Sequence, residues 1–351
     1  MKNKNIIAVL SLFVPFIQYS SIQQSYKKMI KMKFKAMILL SFILLCCQHK
    51  KEQSKTVSID IQKTENDLTL FGEHIISTPL YERDLAISPK GDELIYTLGD
   101  YKQNKRCLVF IKRIHENWAN PEIINISGKY QDIEPFYSSD GNRLYFASNR
   151  PIYNDKTRAD YNIWYSDRIN GIWDEPVALD SIINTKGDEF FPSLSDNGNL
   201  YFTATRDNGI GREDIFRSEF IAGEFQKPKP LSAEINSQLF EFNAYISPDE
   251  SLIVFSSFGR SDGFGGGDLY ISRKNNAGNW TEAKNLGELI NSDKLDYCPF
   301  IDWKSGNFYF TSERIVIDTK KIETINQLNE ISNSALNGFG NIYKIGVDKL
   351  E

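Results

Sequence analysis

Tyr137-Ser138-Ser139-Asp140-Gly141, followed closely by Leu144-Tyr145-Phe146, sets a polar turn directly ahead of an apolar strand. Asp and Gly suit the turn, because Asp bonds to nearby backbone and Gly accepts positive φ. The unit returns as Leu194-Ser195-Asp196-Asn197-Gly198 before Leu200-Tyr201-Phe202, and as Ile246-Ser247-Pro248-Asp249-Glu250 before Ile253-Val254-Phe255. Ile301-Asp302-Trp303-Lys304-Ser305-Gly306 precedes Phe308-Tyr309-Phe310, and a fifth copy opens the series at Ile87-Ser88-Pro89-Lys90-Gly91. From Ser88 through Ser138, Ser195 and Ser247 to Asp302 the spacings are 50, 57, 52 and 55 residues. Self-similarity at such a period marks a repeat architecture.

Each repeat continues in the same way. A loop leads to a third strand, as in Asn162-Ile163-Trp164-Tyr165, Asp214-Ile215-Phe216, Asp268-Leu269-Tyr270 and Asn341-Ile342-Tyr343. A Gly-x-aromatic unit then opens a fourth strand: Gly171-Ile172-Trp173, Gly223-Glu224-Phe225, Gly278-Asn279-Trp280. Four antiparallel strands repeated radially make a propeller blade. The residues resemble the TolB-type (WD40-like) propeller repeat, whose signature runs Ser-Pro-Asp-Gly, apolar-Tyr-Phe-x-Ser-x-Arg, then Asp-Ile-Tyr. The resemblance extends from Phe71 to the C-terminus. It is weakest in the first repeat, which has Lys90 in its turn and no arginine after its second strand. Five copies in register predict an all-β, single five-bladed propeller over residues 68–351, with six blades, common in that family, as the alternative. Phe71-Gly72-Glu73-His74-Ile75 stands where Leu286-Gly287-Glu288-Leu289-Ile290 stands before the fifth turn. The N-terminal segment Thr69–Ile75 is therefore expected to pair with Asn341–Ile345 and close the last blade.

An acid lies six residues before each reference position: Glu82, Asp132, Glu189, Glu241 and Asp296. Antiparallel pairing carries the start of the first strand to the end of the second, where Arg150, Arg206, Arg260 and Arg314 stand. The pairs Asp132–Arg150, Glu189–Arg206, Glu241–Arg260 and Asp296–Arg314 are read as scaffold ion pairs. Blade one offers Gly99 and Asp100 instead, so Glu82 and Asp100 are candidate partner-binding groups. The loop Asp262-Gly263-Phe264-Gly265-Gly266-Gly267-Asp268, echoed at Asn208–Gly211 and Asn337–Gly340, reads as packing; it leads into a strand, whereas a phosphate loop leads into a helix. Ile315–Gly340 is far longer than an ordinary connection. Its Ile317, Ile322, Ile325 and Leu328, with Ile331, include i to i+3 steps that suit a short helix, and they complete the candidate partner-binding set.

The chain has 351 residues, a formal net charge of −5 and 13% aromatics. Without a basic excess, nucleic acid is not an expected partner. His49, His74 and His115 are scattered, and no metal or cofactor is expected. No Gly-x-Ser-x-Gly signature with a following helical domain is present, and unique catalytic carboxylates would break the repeat. Cys107 and Cys298 fall in strand-like segments and read as two buried free thiols.

Met32-Lys33-Phe34-Lys35 and the apolar run Ala36–Leu45 form the basic and hydrophobic regions of an export signal, the run being too short to span a bilayer. Leu44-Leu45-Cys46-Cys47 resembles a bacterial lipobox, which implies a lipid on Cys47, although Cys46 stands where Gly, Ala or Ser is usual. Gln48 after it, by the same analogy, favours the outer membrane. A second apolar run, Ile6–Ile17, is read as lying upstream of a true start at Met32 or Met29, with a membrane hairpin as the alternative. Residues 1–47 are thus the signal region and 48–67 a flexible tether. The expectation is a non-catalytic binding or scaffolding lipoprotein of the cell envelope, facing the periplasm or the cell surface, whose partner is a protein or peptide. A glycan-binding or glycan-active propeller is the alternative.

Overall fold

A computed structural model describes residues 56–153, 155–315 and 321–350. The second strand of each repeat is buried along most of its length, and Leu200–Ala204 along all of it. Such a strand must be covered on both faces, so its residues run apolar without alternation. The cover comes from neighbouring repeats. Each repeat folds into a small antiparallel sheet whose innermost strands are Tyr81–Ile87, Asp132–Tyr137, Glu189–Leu194, Phe240–Ile246 and Asp296–Asp302. Each touches the innermost strands of the two adjacent sheets, and the fifth touches the first, so five blades close a ring. The fold is a five-bladed β-propeller. Separate apolar clusters fill the gaps between blades; Phe146, Trp164 and Trp173 against Ile95 and Leu108 form one of them.

The N-terminal closure is present and shorter than expected. Thr69 pairs with Lys344 and Leu70 with Tyr343, at the outer edge of blade five. Phe71 N donates to Ile342 O at 2.8 Å, and the chain then turns at Gly72, whose carbonyl accepts from the amides of Ile75, Ile76 and Ser77. A Cβ on Gly72 would lie 3.0 Å from Ile76, and its φ of +60° also favours glycine. The strand therefore cannot continue to Ile75.

The fourth strands also differ from expectation. Asn170 and Gly171 both have positive φ and make a tight hairpin, so Ile172-Trp173 folds back on Ile169 and Arg168 at the tip of the third strand. The outer strand proper comes later, at Val177–Ala178. The outer strands are two residues long: Glu122–Ile123, Val177–Ala178, Lys229–Pro230, Lys284–Asn285 and Thr69–Leu70. Edges this short offer little template for pairing with another chain.

The tether assignment needs correction from Thr56 onward, while residues 48–55 lie outside the described residues. Val57 bridges to Trp118, Ile59 and Ile61 are buried, and Trp118 Nε1 donates to Ile59 O at 2.8 Å. Asn307 Nδ2 donates to Ile61 O and Thr64 Oγ1 to Ser305 O. Lys344 Nζ donates to the carbonyls of Asp60 and Lys63. Two isoleucines among polar residues were enough to dock this segment across blades one and five. Of the two thiols, Cys298 is buried and Cys107 is half-buried.

Candidate functional site

Every innermost strand carries a bulge at the same place, two residues after its acid. The residues there are Asp84, Glu134, Phe191, Asn243 and Cys298, with φ between 50° and 61°. The strand register shifts at each of them. A non-glycine residue in this region costs on the order of 1–3 kcal/mol, so surrounding structure must hold it. A hydroxyl from the preceding blade does part of this: Glu134 N donates to Thr97 Oγ1, Asn243 N to Thr203 Oγ1 and Asp84 N to Thr311 Oγ1. Blade two has Ala147 at that position, and there Phe191 N donates to Glu134 Oε2 at 2.7 Å instead.

The bulges bring a polar cluster together on the axis. Arg83 Nε lies 2.8 Å from Asp84, and Arg83 Nη2 lies 2.8 Å from Glu134 Oε1. Glu134 Oε1 also accepts from Asn243 Nδ2, and the guanidinium lies over the Tyr297 ring. Burial pushes the Glu134 carboxyl up; Arg83 opposes this and Asp84 adds to it. Burial likewise raises the Cys298 thiol well above its ordinary range. Beneath the cluster a void of about 10 Å³ remains between Pro135, Pro192 and Pro299, at the limit for one water. One guanidinium thus bridges both axial carboxylates. Sequence reading missed these residues because it followed what repeats, and here only the position repeats while the side chain changes.

The five acids stand at the outset of the innermost strands. All are fully buried beneath the blade-to-blade connectors. In blades two to five an arginine reaches each: Arg150–Asp132 at 2.6 Å, Arg206–Glu189 at 3.1 Å, Arg260–Glu241 at 3.0 Å and Arg314–Asp296 at 2.9 Å. The same guanidinium donates to the connector carbonyl of Ile126, Ile183, Ile235 or Ile290. It also lies over aromatic rings, as Arg260 does over Tyr270. Asparagines beside these isoleucines hook the connector to the third strand: Ile163 N, Ile215 N and Leu269 N donate to Asn184, Asn236 and Asn291. The recurring Ile-Asn dipeptide was the signal for this clasp.

Glu82 has no arginine, but it is not available to a partner. It is fully buried and accepts from Thr78 N at 3.0 Å and from Thr78 Oγ1. Burial raises its carboxyl to about 7, only partly opposed by those two bonds. Asp100 is partly exposed and turns back on its own loop, accepting from Lys102 N and Asn104 N. The glycine loops pack, with Asp214 and Asp268 accepting loop amides at Ile210 and Phe264. A Cβ on Gly265 would lie 2.3 Å from the Asp293 backbone of the connector leading into blade five. Among the described residues no three His, Cys, Asp or Glu side chains group as a metal site.

The long insertion holds a helix, Ile325–Ser332, opened by a Thr324–Gln327 capping box. It buries no residue. Ile322, Ile325 and Leu328 are 48%, 79% and 50% exposed, and Ile331 continues the stripe. Ile317 lies outside the described residues. The insertion is held at its C-terminal end, where Ala335 is buried and Asn337 bonds to Pro79 O. Several clefts are also present, among them one of about 670 Å³ past Thr185, Arg206 and Lys227. One of about 770 Å³ runs past Trp280, Arg217 and Lys229 of blades three and four. Another, of about 600 Å³, lies between blades one and two beside Asp100.

No protein-family model and no curated protein matches this chain. Solved structures do. The putative TolB from Agrobacterium tumefaciens is 15% identical with a TM-score of 0.44, over 70% of this chain and 73% of that one. TolB from Acinetobacter baumannii is 15% identical with a TM-score of 0.43, over 65% of this chain; the match spans about half, 48%, of that protein. The catalytic domain of the Coprinopsis cinerea GH62 α-L-arabinofuranosidase is 11% identical with a TM-score of 0.44, over 83% of this chain and 93% of that one.

Proposed function

We propose that this propeller is a non-catalytic binding module with TolB-type repeats, held at the cell envelope by a lipid on Cys47. Its partner is a protein that docks on the face carrying the long loops. The observation that carries this reading is the apolar stripe Ile325, Leu328 and Ile331 on a capped helix with no buried residue, with exposed Ile322 just ahead of the cap. A helix of eight residues is marginal in water without an apolar face to pack on. The stripe matches the helix-in-groove mode, in which apolar residues at i and i+3 seat in a partner's groove. The glycosidase alternative draws less support. It needs a carboxylate pair with room for a sugar, and Arg83 occupies the space between Asp84 and Glu134.

Site-specific photocrosslinking in intact cells tests this. A photoreactive residue at Leu328 is expected to give a discrete adduct, lost when Ile325→Asp is added. The same residue at Ser139, on the opposite face, is expected to give none. An adduct from Ser139 alone reverses the face assignment. Fractionation of Cys47→Ser, expected to move the protein to the soluble fraction, tests the anchor; mass spectrometry of a mature envelope form with an unmodified Cys47 would refute it.

A further inference from the structure

Blade one departs from the other four in a way that opens a cleft. Asp100 stands where Arg150, Arg206, Arg260 and Arg314 stand, two or three residues beyond the partner of the blade's acid. Its third strand begins at Arg106, where the others begin at Asn162, Asp214, Asp268 and Asn341. The signs are exchanged. Asp100 closes the short loop by accepting its amides, which in blades three and four is the task of Asp214 and Asp268. Arg106 is thereby released from the loop and reaches toward blade two, where it bonds to Gln131 Oε1 and Tyr161 OH.

The cleft of about 600 Å³ lies beside this exchange. Half-buried Leu98 and Cys107 line it, with Leu80 and Ile123, which are 43% and 58% exposed. Three cations border it, Lys105, Arg106 and Lys129, and none has a carboxylate partner among the described residues. A fourth, Arg158, is already held by Asp160 and Thr185 O. The one carboxylate of the lining, Asp100, is turned to its loop. A concave apolar site of several hundred Å³ with a few convergent polar groups is the ordinary form of a small-molecule site. Its uncompensated charge is positive.

We infer that this cleft binds a small organic anion with an apolar body. The anionic group meets Arg106, Lys105 and Lys129, and the body lies along Leu80, Leu98 and Ile123. The site uses no residue of the helix stripe.

The probe is 8-anilinonaphthalene-1-sulfonate titrated into the folded protein, with uncharged N-phenyl-1-naphthylamine alongside. One saturable sulfonate site is expected, weakened at least tenfold by Lys105→Glu/Lys129→Glu, two exposed positions whose change leaves packing intact. Arg106→Ala is expected to weaken it similarly, and Ile325→Asp/Leu328→Asp to leave it unchanged. Bound sulfonate is also expected to slow alkylation of Cys107, read by mass spectrometry of its peptide. The absence of a saturable site, equal affinity in the charge-reversed variant, equal binding of the uncharged probe, or loss of the site in the helix variant would each overturn the inference.

Discussion

Glu82→Gln isolates the cost of a buried carboxylate that no arginine reaches. Burial carries the Glu82 carboxyl from an ordinary 4.5 to about 7. At about 1.4 kcal/mol per pH unit, that interval is worth on the order of 3 kcal/mol. The direction follows from proton binding. Below the ordinary value both folded and unfolded chains are protonated, and nothing is lost. Between the two values the folded protein holds the proton and the unfolded chain does not, so stability falls as pH rises. Above about 7 the full penalty is present. Glutamine cannot ionise and still offers an oxygen to Thr78. Urea denaturation across this range is therefore expected to show the variant gaining about 3 kcal/mol relative to the wild type between acid and mildly alkaline pH. Asp296→Asn is the contrast. It strips Arg314 of its carboxylate inside blade five, which should cost about 3–5 kcal/mol. Parallel stability curves for Glu82→Gln and the wild type would refute the reasoning, because they would mean that Glu82 is already charged and compensated.

Glu134→Ala leaves Arg83 Nη2, Asn243 Nδ2 and Phe191 N without their carboxylate acceptor, and should destabilise by about 3–5 kcal/mol. Adding Ala147→Thr should recover part of that in urea melts, by giving Phe191 N the hydroxyl that other blades provide; no recovery would refute the stitching role. Ile61→Ala should cost about 2–5 kcal/mol, and a loss under about 0.5 would mean that the docked segment contributes little. Deleting residues 55–77 should expose the edge of Asn341–Gly346 and promote aggregation, seen by light scattering; a monodisperse truncation with an unchanged melting temperature would rule out the closure.

The blade count was legible because turns repeat at nearly constant spacing and each strand follows its turn directly. The arginine–acid geometry was legible too, since antiparallel pairing fixes which strand ends meet. What repeats in position but varies in chemistry was not. Asp84, Glu134, Phe191, Asn243 and Cys298 share a backbone conformation that no shared side chain announces. Glu82 shows a different gap. The missing arginine was visible, yet exposure was inferred from it, and Thr78 satisfied the carboxylate instead. Residues 56–67 read as tether because their composition is polar, while two isoleucines and a lysine gave them specific contacts.

The closing strand makes completeness of the ring a condition of folding. Thr69 meets Lys344 across 275 positions, so the ring cannot shut until the last strand has been synthesised. Closure at such separation is entropically slow, and the earlier blades must wait with one side of the ring open. A chain cut short by even one strand leaves an apolar gap at both ends of the series, at Ile76 and Tyr96 on one side and at Phe310 and Ile301 on the other. Such a fragment presents sticky surface to chaperones and proteases, whereas a finished chain presents none there. The last contact to form therefore acts as a check that every blade is in place.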